Sequence, residues 1–179
     1  AIFYADLGQY DKAERDYTKA IELAPEDADN YNNRAILYSD LGQYDKAEQD
    51  YTKAIDLAPE DADNYYNRAI LYSDLGQNDK AEQDCTKAIE LAPEDADKYF
   101  NRAFLYKNLG QYDKAEQDYT KAIDLAPEEA SNYNNRAILY SDLGQYDKAE
   151  QDYTKAIELA PEKADYYNNR AILYKDLGQ

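Results

Sequence analysis

"AILYSDLGQYDKAEQDYTKAI" fills residues 35–55, and the same letters return unchanged at residues 137–157. A single globular core gives every position different neighbours, so a stretch spelled twice has no use there. A stack of equivalent units gives equivalent positions equivalent neighbours. The stretch therefore reads as one unit of an array, and its period can be measured on either side. Glycine stands at 8, 42, 76, 110, 144 and 178, and proline at 25, 59, 93, 127 and 161; both series advance by 34 residues.

Glycine and proline punctuate helices, so each unit should hold two. In 28–61 the first helix is expected from about Asp29 to Leu41, stopped by Gly42 in the left-handed conformation that glycine adopts cheaply. The second is expected to open on "DKAE", Asp45–Glu48, as an Asp-led capping box, and to end near Leu57 before Pro59. Loops this short make the helices antiparallel neighbours. At about 100° per residue, Tyr31, Ala35 and Tyr38 form one narrow stripe, and Ala47, Tyr51 and Ala54 form its counterpart. Alternating small and aromatic residues let each ring lie over a facing alanine. Two such helices cannot bury both faces alone, so the units must stack into an open superhelix.

Tyr31, Ala35, Tyr38, Ala47, Tyr51, Ala54 and Pro59 together resemble the tetratricopeptide repeat signature, in residue class and spacing, and the match recurs along the whole chain. The resemblance implies an all-α fold, an open right-handed superhelical solenoid of antiparallel helix pairs. It divides one continuous solenoid domain into a partial repeat 1–27, repeats 28–61, 62–95, 96–129 and 130–163, and a terminal helix 164–179. Two features depart from the family. Arg34 stands where Leu is usual, and Cys85 replaces a large aromatic.

Arg34 recurs as Arg68, Arg102, Arg136 and Arg170, about 60° off the packing stripe and in line with Leu41. A half-buried guanidinium needs a partner. Asp50 has the same offset on the second helix, with Asp16, Asp84, Asp118 and Asp152 as its equivalents. An Arg–Asp ladder is expected, its rungs within or between repeats; an anion clamp is the alternative.

The resemblance also implies that the first-helix face opposite the stripe receives a peptide or a partner's helix. Ile36, Ile70, Ile138 and Ile172 are apolar on that otherwise polar face, and Phe104 takes the same place in 96–129. Tyr66 and Phe100 replace Asn32 one turn away, so an anchor pocket is expected in the middle repeats. Asn33, Asn67, Asn101, Asn135 and Asn169 form a second row. In the family an Asn here grips a peptide backbone; the alternative is a bond to a neighbouring repeat. Asp29, Asp40, Asp63, Asp74, Asp97 and Asp142 make the face acidic, with Lys107 and Lys175 as exceptions, which favours a basic or neutral protein partner.

Composition excludes other classes. A formal charge of −18 repels nucleic acid and anionic lipid, and no apolar run is long enough to span a bilayer. No leader is visible, although a chain without an initiator Met reads as an excised segment. With no His and one Cys, the sequence offers no imidazole base or ligand, no CxxC pair and no internal disulfide. The "PEDADN" loops fail as calcium sites, because counting from Asp27 the fifth and sixth positions are Tyr31 and Asn32. No cofactor is expected, and no catalysis. Cys85 reads as a small core residue.

Ala171, Tyr174 and Leu177 repeat the interior pattern on the last helix, and "AIFYADLG" at 1–8 begins inside one. Flanking repeats or end-to-end association would cover such surfaces. The near-identity of the units fits a consensus-like scaffold without a natural client and recent duplication equally.

Overall fold

The computed structural model describes residues 9–178. Gly8, and the half helix expected around it, lie outside the described residues, as does Gln179. The described residues form ten helices: α1 (Tyr10–Leu23), α2 (Ala28–Asp40), α3 (Tyr44–Leu57), α4 (Ala62–Asp74), α5 (Asn78–Leu91), α6 (Ala96–Asn108), α7 (Tyr112–Leu125), α8 (Ala130–Asp142), α9 (Tyr146–Leu159) and α10 (Ala164–Asp176). They fall into two compact units, Ala1–Pro93 with α1–α5 and Glu94–Gln179 with α6–α10.

Each first helix ends as its glycine dictates. Gly42 has φ +69°, its N–H donates to Ser39 O at 2.9 Å, and the Gln43 N–H donates to Tyr38 O at 2.8 Å. This double bond back onto the last turn closes the helix and reverses the chain. The second helix opens differently from the expected capping box. Its N-cap is Gln43, whose side chain makes no cap bond and whose backbone carbonyl takes the N–H groups of Lys46 and Ala47. Asp45 is already inside the first turn, where its charge suits the helix dipole. The side-chain caps belong to the first helices instead. Asp27, Asp61 and Asp95 accept the N–H of Asp29, Asp63 and Asp97 at 3.1, 2.9 and 2.9 Å. Glu129 caps α8 through both the N–H and the hydroxyl of Ser131. The acidic loops considered for calcium thus start helices.

In the first unit α1–α2, α2–α3, α3–α4 and α4–α5 pack as successive neighbours, and the first helices α2 and α4 also touch. The core repeats with them. Ala35, Tyr38, Ala47 and Tyr51 are buried together as the stripe requires, and Leu71 from the following repeat completes the cluster. Leu37 does the same for Ala13 and Tyr17. In the second unit α6–α10 follow the same order, and α8 touches α10. Leu139 completes the cluster of Ala103, Tyr106, Ala115 and Tyr119, and Leu173 that of Ala137, Tyr140, Ala149 and Tyr153. In these four clusters the aromatic–alanine pair is roofed by a leucine one repeat on. That contact is the stacking itself.

Candidate functional site

The arginine row is consumed by structure. Arg34 Nε donates to Asp50 Oδ2 at 2.7 Å and Nη2 to Oδ1 at 2.9 Å, a bidentate rung inside one repeat. Arg68–Asp84, Arg102–Asp118 and Arg136–Asp152 repeat it, and each of these aspartates is only 7% exposed. Nη1 reaches back to the preceding repeat, from Arg34 to Thr18, Arg68 to Thr52 and Arg136 to Thr120, at 3.0–3.2 Å. The bond to Asp50 raises the pKa of Arg34 further, so its charge is permanent. All three nitrogens of such a guanidinium are engaged and its charge is already matched by a built-in carboxylate, which competes with any ligand anion.

A second rung lies beside the first. Tyr38 Oη donates to Glu14 Oε1 of the preceding repeat at 3.0 Å, and its ring lies between Arg34 Cζ at 5.6 Å and Lys46 Nζ at 4.8 Å. Tyr72–Glu48 and Tyr140–Glu116 repeat the bond at 2.9 and 2.8 Å. Sequence reasoning placed Tyr38 on the stripe and missed the carboxylate, although Glu14, Glu48 and Glu116 recur with the period.

On the first-helix face the structure separates the expected binding residues. Ile36 and Ile70 are exposed in the first unit, and Phe104 and Ile172, at 47% and 57%, in the second. Ile138 is half-buried against the Ala137–Tyr140 cluster. Phe100 is likewise no open anchor, because its ring meets Tyr119 edge-on with centroids 5.8 Å apart. Tyr66 is half-buried. Lys107 is not a standing positive exception either: its Nζ sits 3.1 Å from Asp142 Oδ2.

The asparagine row is half committed. Asn67 Nδ2 donates to Asn32 Oδ1, and Asn169 Nδ2 to Asn134 Oδ1, both at 3.0 Å and both across repeats. Asn135 faces the opposite situation. The residue standing where Asn32 and Asn134 stand is Phe100, which offers no acceptor, and the amide turns to Ser131 O on its own helix at 2.9 Å. Asn101 does the same toward Asp97 O. Each of these four spends one of its two N–H donors on this bond and keeps the other, and Asn67, Asn101 and Asn135 are half-buried. Asn33 is half-buried.

Asp29, Asp40, Asp63, Asp74, Asp97 and Asp142 are exposed. Cys85 is a buried thiol in the place of a core tyrosine. Among the described residues no group of three or more His, Cys, Asp or Glu is arranged to hold a metal ion, and no helix is long and apolar enough to cross a membrane.

The tetratricopeptide repeat family matches residues 1–27, 28–61 and 62–95 in one form and 94–162 and 128–179 in another. Among solved structures, the crystal structure of MamA is 26% identical, with 91% of this chain and 95% of that one covered and a TM-score of 0.77. A tetratricopeptide repeat protein from Parabacteroides merdae is 27% identical over 99% of this chain and 70% of its own, with a TM-score of 0.82. YrrB, described as a TPR protein with an unusual peptide-binding site, shares the fold at 22% identity and a TM-score of 0.73, over 94% of this chain and 87% of that one. No curated protein matches the chain. With recurring helix pairs, glycine stops and alanine–tyrosine packing, and family matches from end to end, this chain belongs to the tetratricopeptide repeat family.

Proposed function

We propose that the protein is a non-catalytic interaction scaffold that binds a peptide or a partner's helix on its first-helix face. The observation that carries this reading is the row Ile36 and Ile70 in one unit and Phe104 and Ile172 in the other, apolar and exposed on a polar surface. Single exposed apolar residues are ordinary, whereas a row at repeat spacing is a surface looking for cover. Phe104 is the bulkiest side chain of the exposed row, and Phe100 and Ile138 are already packed. Asn67, Asn101 and Asn135 lie one turn away, and each keeps an oxygen acceptor and a second N–H donor, which suits the backbone of an extended segment. Asp40 and Asp74 on the same helices favour a basic or neutral partner and make binding weaken with salt.

The test is an array of amphipathic peptides graded from acidic to basic, probed with the whole chain and with Phe104→Ala. Basic and neutral peptides should bind, and the variant should lose about tenfold in affinity, the effect of removing one well-buried anchor. Equal binding by both proteins, or a preference for acidic peptides, would refute the assignment.

A further inference from the structure

One recurring aromatic serves neither the core nor the first-helix face. Tyr44, Tyr112 and Tyr146 open α3, α7 and α9 and are 42%, 39% and 40% exposed, whereas the stripe tyrosines Tyr51, Tyr119 and Tyr153 on the same helices are buried. Tyr10 opens α1 in the same way, and repeat 62–95 breaks the row with Asn78. Beside Tyr44 lies a shallow pocket of about 330 Å³, lined by Gly42, Gln43, Tyr44, Asp45 and Lys46, and Tyr10 has a counterpart of about 300 Å³. Glycine keeps the turn bare: a side chain on Gly42 would come near only Tyr44 Oη, at 4.0 Å, and one on Gly110 or Gly144 would meet nothing that close. The charges at these turns are unevenly committed. Lys46 Nζ lies 3.7 Å from Glu14 and 4.8 Å over the Tyr38 ring, and Lys148 Nζ lies 3.3 Å from Glu116 and 4.7 Å over Tyr140. Asp45, Asp113 and Asp147 are exposed and, among the described residues, make no ion pair. Each turn therefore shows a ring, bare backbone and one unmatched negative charge.

We propose that these turns form a second docking surface, whose partner is a proline-rich segment carrying Arg or Lys. The chemistry of the turn selects this occupant. Pockets this shallow cannot offset the ordering of a flexible chain, and the polar residues between the rings deny an amphipathic helix a continuous apolar bed. A polyproline II segment arrives already extended, loses little freedom on binding and docks on exposed aromatic rows. The Tyr44 hydroxyl and the Gln43 side-chain amide make no hydrogen bond among the described residues. Both can donate to carbonyl groups, which a proline-rich backbone offers without competing N–H groups of its own. Asp45, Asp113 and Asp147 supply the charge that a neighbouring Arg or Lys matches. In the second unit Tyr112 and Tyr146 stand in successive repeats, so consecutive turns offer one segment two rings. This surface belongs to the second helices and does not depend on the reading of the first-helix face.

Fluorescence anisotropy on the 179-residue chain tests it, with a labelled peptide of repeated Pro-Pro-Arg triplets and with Pro-Pro-Glu and Gly-Ser-Arg versions of the same length. The first should bind best, because the second loses the charge match and the third keeps the charge but loses the rings and the stiffness. Changing Tyr10, Tyr44, Tyr112 and Tyr146 together to Ala should weaken binding of the Pro-Pro-Arg peptide by about tenfold or more. Changing Asp11, Asp45, Asp113 and Asp147 together to Asn preserves size and should cost about threefold while flattening the salt dependence. Asn78→Tyr extends the row in the first unit and should tighten binding. Far-ultraviolet circular dichroism verifies that each variant stays helical, and the Asn and Asn78→Tyr variants carry the test alone if the alanine variant does not. Phe104→Ala should leave this binding unchanged, which separates the surface from the first-helix face. Equal binding of the Pro-Pro-Arg and Gly-Ser-Arg peptides would reduce the effect to bulk charge and overturn the proposal. So would a folded alanine variant that binds like the wild type, or a loss of binding in Phe104→Ala.

Discussion

Repeats 28–61 and 96–129 agree on one face and disagree on the other. Ala35, Tyr38, Ala47 and Tyr51 have Ala103, Tyr106, Ala115 and Tyr119 as counterparts, and all eight are buried. Asn32, Ile36 and Ser39, by contrast, have Phe100, Phe104 and Lys107. A residue on the stripe touches the next helix and the next repeat, so changing it alone leaves a void or a clash. A residue that faces solvent carries no such tie. The difference is not wholly confined to the surface, however. Ser39 stands beside Tyr51, and replacing it with Lys107 leaves the buried hydroxyl of Tyr119 without a partner.

The agreement can be broken first and most severely. Asp50→Ala and Asp118→Ala each strand a guanidinium on a side chain only 17% exposed, so each should cost about 3 kcal/mol, the low end for breaking a buried pair. The two losses should match, because both carboxylates take bonds of 2.7 Å from Nε and 2.9–3.0 Å from Nη2. Urea unfolding followed by circular dichroism measures both, with hydrogen exchange assigning the loss to its repeat where the array unfolds in steps. A cost near zero in either repeat would show that the rungs are not equivalent. Replacing both partners of one rung with apolar residues of similar volume should recover most of the loss, since the ion pair carries its own desolvation cost.

A smaller effect comes from pH. Burial pushes Tyr51 up to about 12, and Tyr72 and Tyr140 likewise reach about 12, burial first and the bonds to Glu48 and Glu116 second. In the unfolded chain tyrosine ionises near pH 10. A raised folded pKa favours the neutral phenol, so this stabilisation is complete below about pH 10 and is lost as pH climbs toward 12. Titration of tyrosinate absorbance alongside helix content should show the two changing together in that window. If all tyrosines ionised near pH 10 with the helices intact, the buried stripe would be misassigned. On the acid side the bond from Tyr72 holds Glu48 below the usual carboxylate range. That contribution is present above about pH 4.3 and fades as pH falls through the lowered value.

The fold was legible because Gly42, Pro59 and the Ala–Tyr stripe act through local geometry, and local geometry repeats with the letters. Helix edges were displaced by a residue because Asp45 looked like a cap; the turn bonded to Gly42 leaves the carbonyl of Gln43 to do that work. The Arg–Asp partnership was readable from angular offset alone, but its place inside the repeat and the Thr18 arm were not, since offset fixes direction and says nothing of distance. Leu37 and its equivalents went unnoticed because they point between repeats rather than along the stripe of one pair. On the first-helix face, side-chain size misled. Phe100 looked like an anchor and became core by lying on Tyr119, while Lys107 looked like free charge and found Asp142 one repeat on. The first contact crosses between the two helices of one repeat and the second joins positions in successive repeats, and the projection of a single helix displays neither.

The finest test of the comparison is to make the third repeat resemble the first at one position. Lys107→Ser restores the hydroxyl that eases the shift of Tyr51, although the Ser39 hydroxyl itself makes no regular hydrogen bond. Burial alone now pushes the Tyr119 pKa up, and in the variant it should fall toward the value of about 12 that Tyr51 shows. The net stability change should stay within about 1 kcal/mol. A hydroxyl partner is worth about that much, and the lost exposed pair with Asp142 offsets part of it. Tyr119→Phe separates the two contributions, because it removes the unpartnered hydroxyl and leaves Lys107 on Asp142. It should be neutral or slightly stabilising, since a buried hydroxyl with no partner carries its desolvation cost uncompensated. A loss well beyond 1 kcal/mol on removing that oxygen would mean it is satisfied after all, and the third repeat would then differ from the first only on its surface.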